Sequence, residues 1–217
     1  MLSLSVITPT LGKNRFLADA VRSVTPQLTC NNDEHWVIAP DGVEFPAEFN
    51  HESLKLVHAC EAGPADAFNQ GIGRSSADLL GFLCDDDRYE ADALHTVRET
   101  FEARPEIDAI YCGYHKIDES GATSVVKMPR KLTFSSILKN QPDPLTGLFV
   151  RRALIDSVGP LDPSLRYRFW QEWLLRGAIG GKRFLRLKKH LYGKRRHRDN
   201  RLFGGLEPDD AVASSPA

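Results

Sequence analysis

The sequence predicts an α/β fold, a mainly parallel sheet flanked by helices. Three observations carry this expectation. Short, bounded apolar runs alternate with segments of helical periodicity from Leu4 onward, the pattern of strands joined by crossover helices. Pro9, Gly12, Pro40-Asp41-Gly42 and Gly63-Pro64 punctuate those runs with turn chemistry. With 217 residues, 41% of them hydrophobic, the chain is long enough to bury one real core.

Leu4 to Thr8 reads as the first strand, broken by Pro9 and Gly12. Asn14 to Thr25 then sets Phe16, Leu17, Ala20, Val21 and Val24 on one helical face. His35 to Ala39 and Leu54 to Ala59 read as the second and third strands. Gly63-Pro64 starts a helix to about Arg74, with Ala65, Phe68 and Ile72 inward, and Leu79 to Leu83 is a short apolar run that reads as a buried strand. Ala91 to Arg104 is the clearest helix, with Ala93, Leu94, Val97 and Phe101 at helical spacing and Pro105 as its stop. A strand at Ala109 to Tyr114 follows, then the turn Asp118-Glu119-Ser120-Gly121 and a short strand, Ser124 to Lys127, expected to pair antiparallel with its predecessor. Gly147 to Val150 reads as a further strand, Arg152 to Val158 as a helix ended by Gly159-Pro160, and Phe169 to Gly177 as a helix with Trp170, Trp173 and Leu174 on its apolar face. No internal repeat is visible, so residues 1–204 are expected to form a single domain, with 205–217 as a flexible tail.

The net charge of −1 is unevenly spread. Lys182 to Arg201 holds ten Lys or Arg against one acid, Asp199, leaving 18 basic and 28 acidic residues in the body. A basic arm on an acidic body is a solvated face, or a surface for a phosphorylated ligand, an anionic membrane or nucleic acid. Only Phe184 and Tyr192 interleave aromatic rings into it, which argues against a dedicated nucleic-acid binder. The four cysteines, Cys30, Cys60, Cys84 and Cys112, include no C-x-x-C pair, so neither zinc sites nor a disulfide scaffold is expected, only thiols of a reducing compartment. The first residues lack a basic leader and a cleavage site, and no apolar stretch approaches the ~20 residues that span a bilayer. The expected location is cytoplasmic, with peripheral membrane contact available only through the basic arm.

Asp85-Asp86-Asp87 closes the apolar run Leu79-Leu80-Gly81-Phe82-Leu83. In open α/β sheets, ligands bind outside the carboxyl ends of the strands, where this triplet is expected to emerge. Two carboxylates about 4 Å apart at an effective dielectric near 20 repel by roughly 4 kcal/mol. Three in a row therefore favour a splayed, solvated turn or a bound cation. A hard divalent ion held by one or two carboxylates and completed by substrate phosphates relieves the repulsion.

Together with Val6-Ile7-Thr8-Pro9-Thr10, the Pro40-Asp41-Gly42 turn and Glu61-Ala62-Gly63-Pro64-Ala65-Asp66-Ala67-Phe68-Asn69-Gln70-Gly71-Ile72, the segment Gly81-Phe82-Leu83-Cys84-Asp85-Asp86-Asp87 resembles, in order and spacing, the nucleotide-binding half of the family 2 glycosyltransferases. Similarity continues through Ile117-Asp118-Glu119-Ser120-Gly121 and Phe149-Val150-Arg151-Arg152 and covers roughly Leu4 to Arg201. The resemblance implies a GT-A fold: a Rossmann-like sheet that binds a nucleotide-diphospho-sugar over about 1–117, then an acceptor half over about 118–204. It implies inverting transfer from a donor, most simply UDP-linked, to a saccharide or lipid-linked acceptor, with Mn2+ or Mg2+. Asp86 and Asp87 align with the family's metal-binding acids, and Asp85-Asp86-Asp87 also satisfies a literal D-x-D that counts Asp85 among the donor-binding residues. Cys84 stands where the family carries Asp or Asn; a hard cation prefers oxygen, so Cys84 is not assigned to the metal. Asp41 is the one acid left before the glycine of the second strand's turn and is implied to accept from a uracil-type N–H, the alternative being a plain Asp-Gly turn. Thr8 and Pro9 are implied to wall the base pocket. Asp66 is implied to flank the sugar nucleotide, with helix-start electrostatics as its alternative.

Inverting transfer needs a carboxylate beside the acceptor hydroxyl, to take its proton as the anomeric carbon develops oxocarbenium character. The family supplies it from an Asp-aromatic-acid cluster, matched here by Phe169-Trp170-Gln171-Glu172-Trp173-Leu174, in which the first acid has become Trp170. Glu172, the only carboxylate between Asp162 and Asp199, is the candidate general base; pairing with Arg168 or Arg176 is its structural alternative. His197, in Lys194-Arg195-Arg196-His197-Arg198, matches a segment implied to lie over the diphosphate, where imidazole completes the metal shell and Arg196 forks onto phosphate. A surface histidine is the alternative. The replacements at Pro40, Cys84 and Trp170 also leave open a scaffold that binds nucleotide sugar without turnover.

Overall fold

The computed structural model of the protein describes residues 1–59, 63–139, 146–165 and 168–197. Its elements run β1 (Leu4–Pro9), α1 (Leu17–Val24) with a 3-10 turn at Thr25–Gln27, β2 (Glu34–Ala39), β3 (Leu54–His58), α2 (Pro64–Arg74), β4 (Leu79–Phe82) and β5 (Arg88–Tyr89). Then come α3 (Ala93–Ala103), β6 (Ala109–Ile117), β7 (Thr123–Lys127), α4 (Phe134–Lys139), β8 (Leu148–Arg151), α5 (Arg152–Val158), α6 (Phe169–Ile179) and β9 (Phe184–Arg195). The described strands join in one sheet, ordered β3-β2-β1-β4-β8-β6-β9-β5, with β7 paired to β6.

β1 is buried along its whole length, its polar Ser5 and Thr8 included, as a strand covered on both faces of a parallel sheet is. It pairs in parallel with β2, Ile7 opposite Trp36, and with β4, Ile7 opposite Phe82. Ile7 and Leu80 face a core shared with Ala65, Phe68 and Ile72 of α2, whereas Val6 and Leu79 face a second core with Ala20 and Val24 of α1. The crossovers therefore lie on opposite faces, and the winding reverses between β1 and β4. The carboxyl ends of β2, β1 and β4 open side by side at this switch. A side chain at Gly71 would meet Ile7 Cγ2 at 2.4 Å, so glycine is what lets α2 lie this close to β1.

The second half is mixed. β8 runs antiparallel between β4 and β6. The paired arginines at its end serve the fold. Arg151 donates to Ile107 O at 2.8 Å and Phe101 O at 2.7 Å, and Arg152 donates to Ala77 O at 2.9 Å, closing the loops that lead into β6 and β4. β7 pairs antiparallel with β6 as expected, Tyr114 opposite Lys127.

The basic segment is where sequence and structure diverge most. Its described part is not an arm but the twelve-residue strand β9, parallel to β6 and joined to β5. The register slips around Gly113, so Lys188 and Lys189 are exposed while Leu191, Tyr192 and Arg195 are buried. That slip, with Lys and Arg at so many positions, erases the alternation that marks a strand. β5 and α4 were not expected either, being two and six residues long. Arg198 to Arg201, the 205–217 tail and Glu61-Ala62 of the quoted motif lie outside the described residues. Among the described residues, no helix is long and apolar enough to cross a membrane.

One ion pair ties the start of the sheet to its helices. Arg98 Nη2 donates to Asp33 Oδ2 at 2.6 Å, with the two side chains 4% and 0% exposed. Asp33 also accepts from the backbone N–H of Leu4, Thr29 and Cys30, and Arg98 Nε donates to Leu2 O. Removing the cation alone strands a buried carboxylate. Arg98→Leu should therefore cost about 3–5 kcal/mol, read as a lower urea midpoint at constant slope. A loss below about 1 kcal/mol would show that the backbone donors alone suffice for Asp33.

Candidate functional site

β4 ends at Phe82, Leu83 N still donates to Ile7 O, and Asp87 N turns back to Cys84 O at 3.2 Å. That tight turn sends the carboxylates in different directions. Asp85 faces the loop between β1 and α1, accepting from the Thr10 hydroxyl at 2.6 Å and the Asn14 amide at 3.0 Å. Asp86 Oδ2 lies 3.0 Å from His197 Nε2. Asp87 accepts from Arg195 N at 2.9 Å and from the Thr146 hydroxyl at 2.6 Å. The triplet does not converge as one cluster. Instead Asp86, Asp87 and Cys84 each present one ligand atom, all within 4.8 Å of one another.

Burial pushes every acid of this turn toward its neutral form. Asp85 is raised by desolvation; Asp86 is raised by desolvation, with the Asp85 charge adding, up to about 6. Asp87 lies well above the usual carboxylate range, because of burial and then the Asp86 charge. The Cys84 thiol is likewise raised by burial, then by Asp87 and Asp86. A nearby cation favours the ionised form of groups that burial holds neutral. Two carboxyl oxygens and a sulfur are donors of the kinds that divalent ions accept, and an imidazole is hydrogen-bonded to one of the acids.

Arg195 is 1% exposed, and it fastens the turn to three other segments. Its guanidinium donates to Asp86 O at 3.0 Å, to Asp118 O at 3.0 Å and Glu119 O at 3.2 Å, and to Asp19 Oδ2 at 3.1 Å. It stands 4.2 Å from the centre of the Phe16 ring, against which His197 (5.3 Å) and the Arg15 guanidinium (4.8 Å) also pack. Arg196 is exposed, with its N–H bonded to Ile117 O. The sequence reading missed Arg195, Thr10, Asn14 and Thr146. Asn14 carried a local signal, since its carboxamide caps Phe16 N as an Asx turn would. Thr146 and Arg195 carried none, because their partners are far along the chain.

The remaining candidates lie on other elements. Thr8 and Pro9 end β1, and the Thr8 hydroxyl lies 2.9 Å from Nε2 of His35, a buried imidazole that desolvation lowers to about 3 and so keeps neutral. Asp41 is exposed in the turn after β2, where Gly42 has φ +84°. Asp66 is in the first turn of α2, behind Gly63 and Pro64. Nearby Asn69 both donates to and accepts from the backbone of Leu161, tying α2 to the segment before α6. Glu172 is bidentate with Arg176, at 2.6 and 3.0 Å, and about one third exposed. Trp170 packs 4.6 Å from Phe82 and 5.5 Å from Phe68, so α6 reaches the end of β4 with an aromatic ring and not an acid.

The family model for glycosyl transferase family 2 matches residues 5–159. An uncharacterised glycosyltransferase of Nostoc sp. is 25% identical over 188 residues, 79% of this chain and 57% of that protein. The Escherichia coli UDP-Glc:alpha-D-GlcNAc-diphosphoundecaprenol beta-1,3-glucosyltransferase WfgD is 25% identical over 146 residues, 63% of this chain and 55% of that protein. The chain thus spans a little over half the length of these relatives. The crystal structure of S. aureus TarS with UDP-GlcNAc is similar at a TM-score of 0.73 and 15% identity, over 96% of this chain and 63% of that one. That likeness bears out the GT-A fold: a mixed sheet with helices on both faces and its acidic turn at the strand ends. With more than half of its length matched, the chain belongs to glycosyl transferase family 2.

Proposed function

We propose that the protein is an inverting, metal-dependent glycosyltransferase that moves a sugar from a UDP-linked donor to an acceptor hydroxyl. One observation carries the reading: Asp86 and Asp87, with His197 on Asp86, meet beyond the carboxyl ends of adjacent parallel strands, where a diphosphate and its cation are accommodated in such sheets. A bound Mn2+ or Mg2+ neutralises charge on the departing nucleotide diphosphate. Asp86 and Asp87 hold the ion in this reading, His197 joins them, and Arg196 meets the phosphates. Asp41 accepts the uracil N–H, Thr8 and Pro9 back the base, and Asp66 flanks the donor at the start of α2. Asp85 secures the loop after β1 against the donor through Thr10 and Asn14. Glu172 takes the acceptor's proton, with Arg176 fixing its orientation.

TarS has been crystallised with UDP and with UDP-GlcNAc, and WfgD is named for UDP-Glc and a diphosphoundecaprenol-linked acceptor. These support UDP as the carrier here and a saccharide or lipid-linked acceptor. For a lipid-linked acceptor, exposed Lys188 and Lys189 of β9 supply positive surface for peripheral contact with an anionic membrane. A second reading, donor binding without transfer, is favoured by one observation. Both Glu172 oxygens are engaged by Arg176, and Trp170 is packed where the family carries an acid.

Calorimetric titration of UDP should show binding that needs Mn2+ or Mg2+ and is lost in Asp86→Ala; absence of UDP binding with either ion overturns the reading. Acid should weaken that binding. Asp86 must be ionised to hold a cation, and with its pKa raised to about 6 its proton returns as pH falls through that value. Metal-dependent affinity should therefore drop between about pH 7 and pH 5, and an affinity flat across that window removes Asp86 as a ligand. Glu172→Gln should lower turnover by about 100-fold or more with UDP binding unchanged. Full turnover in that variant excludes Glu172 as the base, whereas UDP binding by a wild type without transfer activity selects the second reading.

A further inference from the structure

We infer that the sulfur of Cys84 is a ligand of the same cation, and that the site consequently prefers a borderline or soft divalent ion, such as Co2+, Zn2+ or Cd2+, to Mg2+. The inference rests on the donor-site reading above. Its ground is the geometry of the turn. The Asp87 N–H to Cys84 O bond folds the chain so that Cys84 Sγ and one oxygen each of Asp86 and Asp87 come within 4.8 Å of one another. Ligands about 2.3 Å (sulfur) and about 2.1 Å (oxygen) from one tetrahedral ion stand about 3.6 Å apart, so side-chain rotations that draw these atoms in by about 1 Å close the shell. His197 Nε2 lies 3.0 Å from Asp86 Oδ2, where it orients that carboxylate.

The set is thus one sulfur and two oxygens. Oxygen-only sets suit Mg2+, which dehydrates reluctantly, whereas a thiolate selects later, softer ions. The argument that a hard cation avoids sulfur therefore weighs against Mg2+ rather than against Cys84. On binding, the sulfur lone pair goes to the metal and the thiol proton to solvent, so charge and atoms balance. Arg195 N and the Thr146 hydroxyl fix Asp87, and Arg195 Nε fixes the carbonyl of Asp86, so the turn that presents the sulfur is held before any ion arrives.

Cobalt reports the sulfur directly. With UDP present, Co2+ added to the wild type should give the near-ultraviolet sulfur-to-cobalt charge-transfer band. Cys84→Ser should lose that band while keeping the visible ligand-field bands and metal-dependent UDP binding. The ratio of Cd2+ to Mg2+ affinity, measured by competition, should fall about tenfold or more in both Cys84→Ser and Cys84→Asp. Cys84→Asp carries the comparison if the serine variant does not fold. Cobalt bound with UDP but without the band, or an unchanged affinity ratio, overturns the inference and leaves the donor site standing. No metal-dependent UDP binding in any of the three proteins overturns both.

Discussion

Arg195 puts a permanent positive charge inside a turn where Asp85, Asp86 and Asp87 follow one another and desolvation opposes the ionisation of all three. A buried guanidinium is tolerable only when its donors are satisfied, and here three carbonyls, the Asp19 carboxylate and the face of Phe16 meet that condition. The arrangement fixes the end of β9 against α1, the acidic turn and the 118–121 turn together. Because β9 pairs along most of β6, anchoring its end also sets the register of the far half of the sheet. The position of the candidate metal ligands and the closure of the fold thus depend on one side chain.

The parallel half of the fold was legible because its strands are buried on both faces, so β1 and β4 appear as plain apolar runs between turn residues. β9 was not, since its polar face and slipped register hide Leu185, Leu187 and Leu191 among Lys and Arg. The site divides in the same way. Asp86 and Asp87 were visible from their place at a strand end, which is local information. Their partners were not: Thr146 is 59 residues from Asp87 and Asp19 is 176 residues from Arg195. Asp85, equally visible, turned out to be occupied with Thr10 and Asn14, a distinction that spacing does not encode.

The motifs that carry the resemblance are not all chemical. Arg151 and Arg152 spend their donors on backbone carbonyls of Phe101, Ile107 and Ala77, and Asn69 spends its amide on Leu161. The acidic turn is of the other kind: desolvation opposes the ionisation of all three of its carboxyl groups, a cost that a bound cation would offset in the reading proposed above.

The pairing of Arg88 in β5 with Gly193 in β9 means that the two halves of the chain are interleaved rather than stacked. Asp87 waits for a backbone donor 108 residues later. At ordinary rates of translation, roughly 5–20 residues per second, the turn stays exposed on the nascent chain for on the order of ten seconds after its own strand has been made. β8 is synthesised partway through that interval, and Arg195 only at its end. The candidate site therefore has a framework that is synthesised early and a fastening that is synthesised 108 residues after the turn it holds.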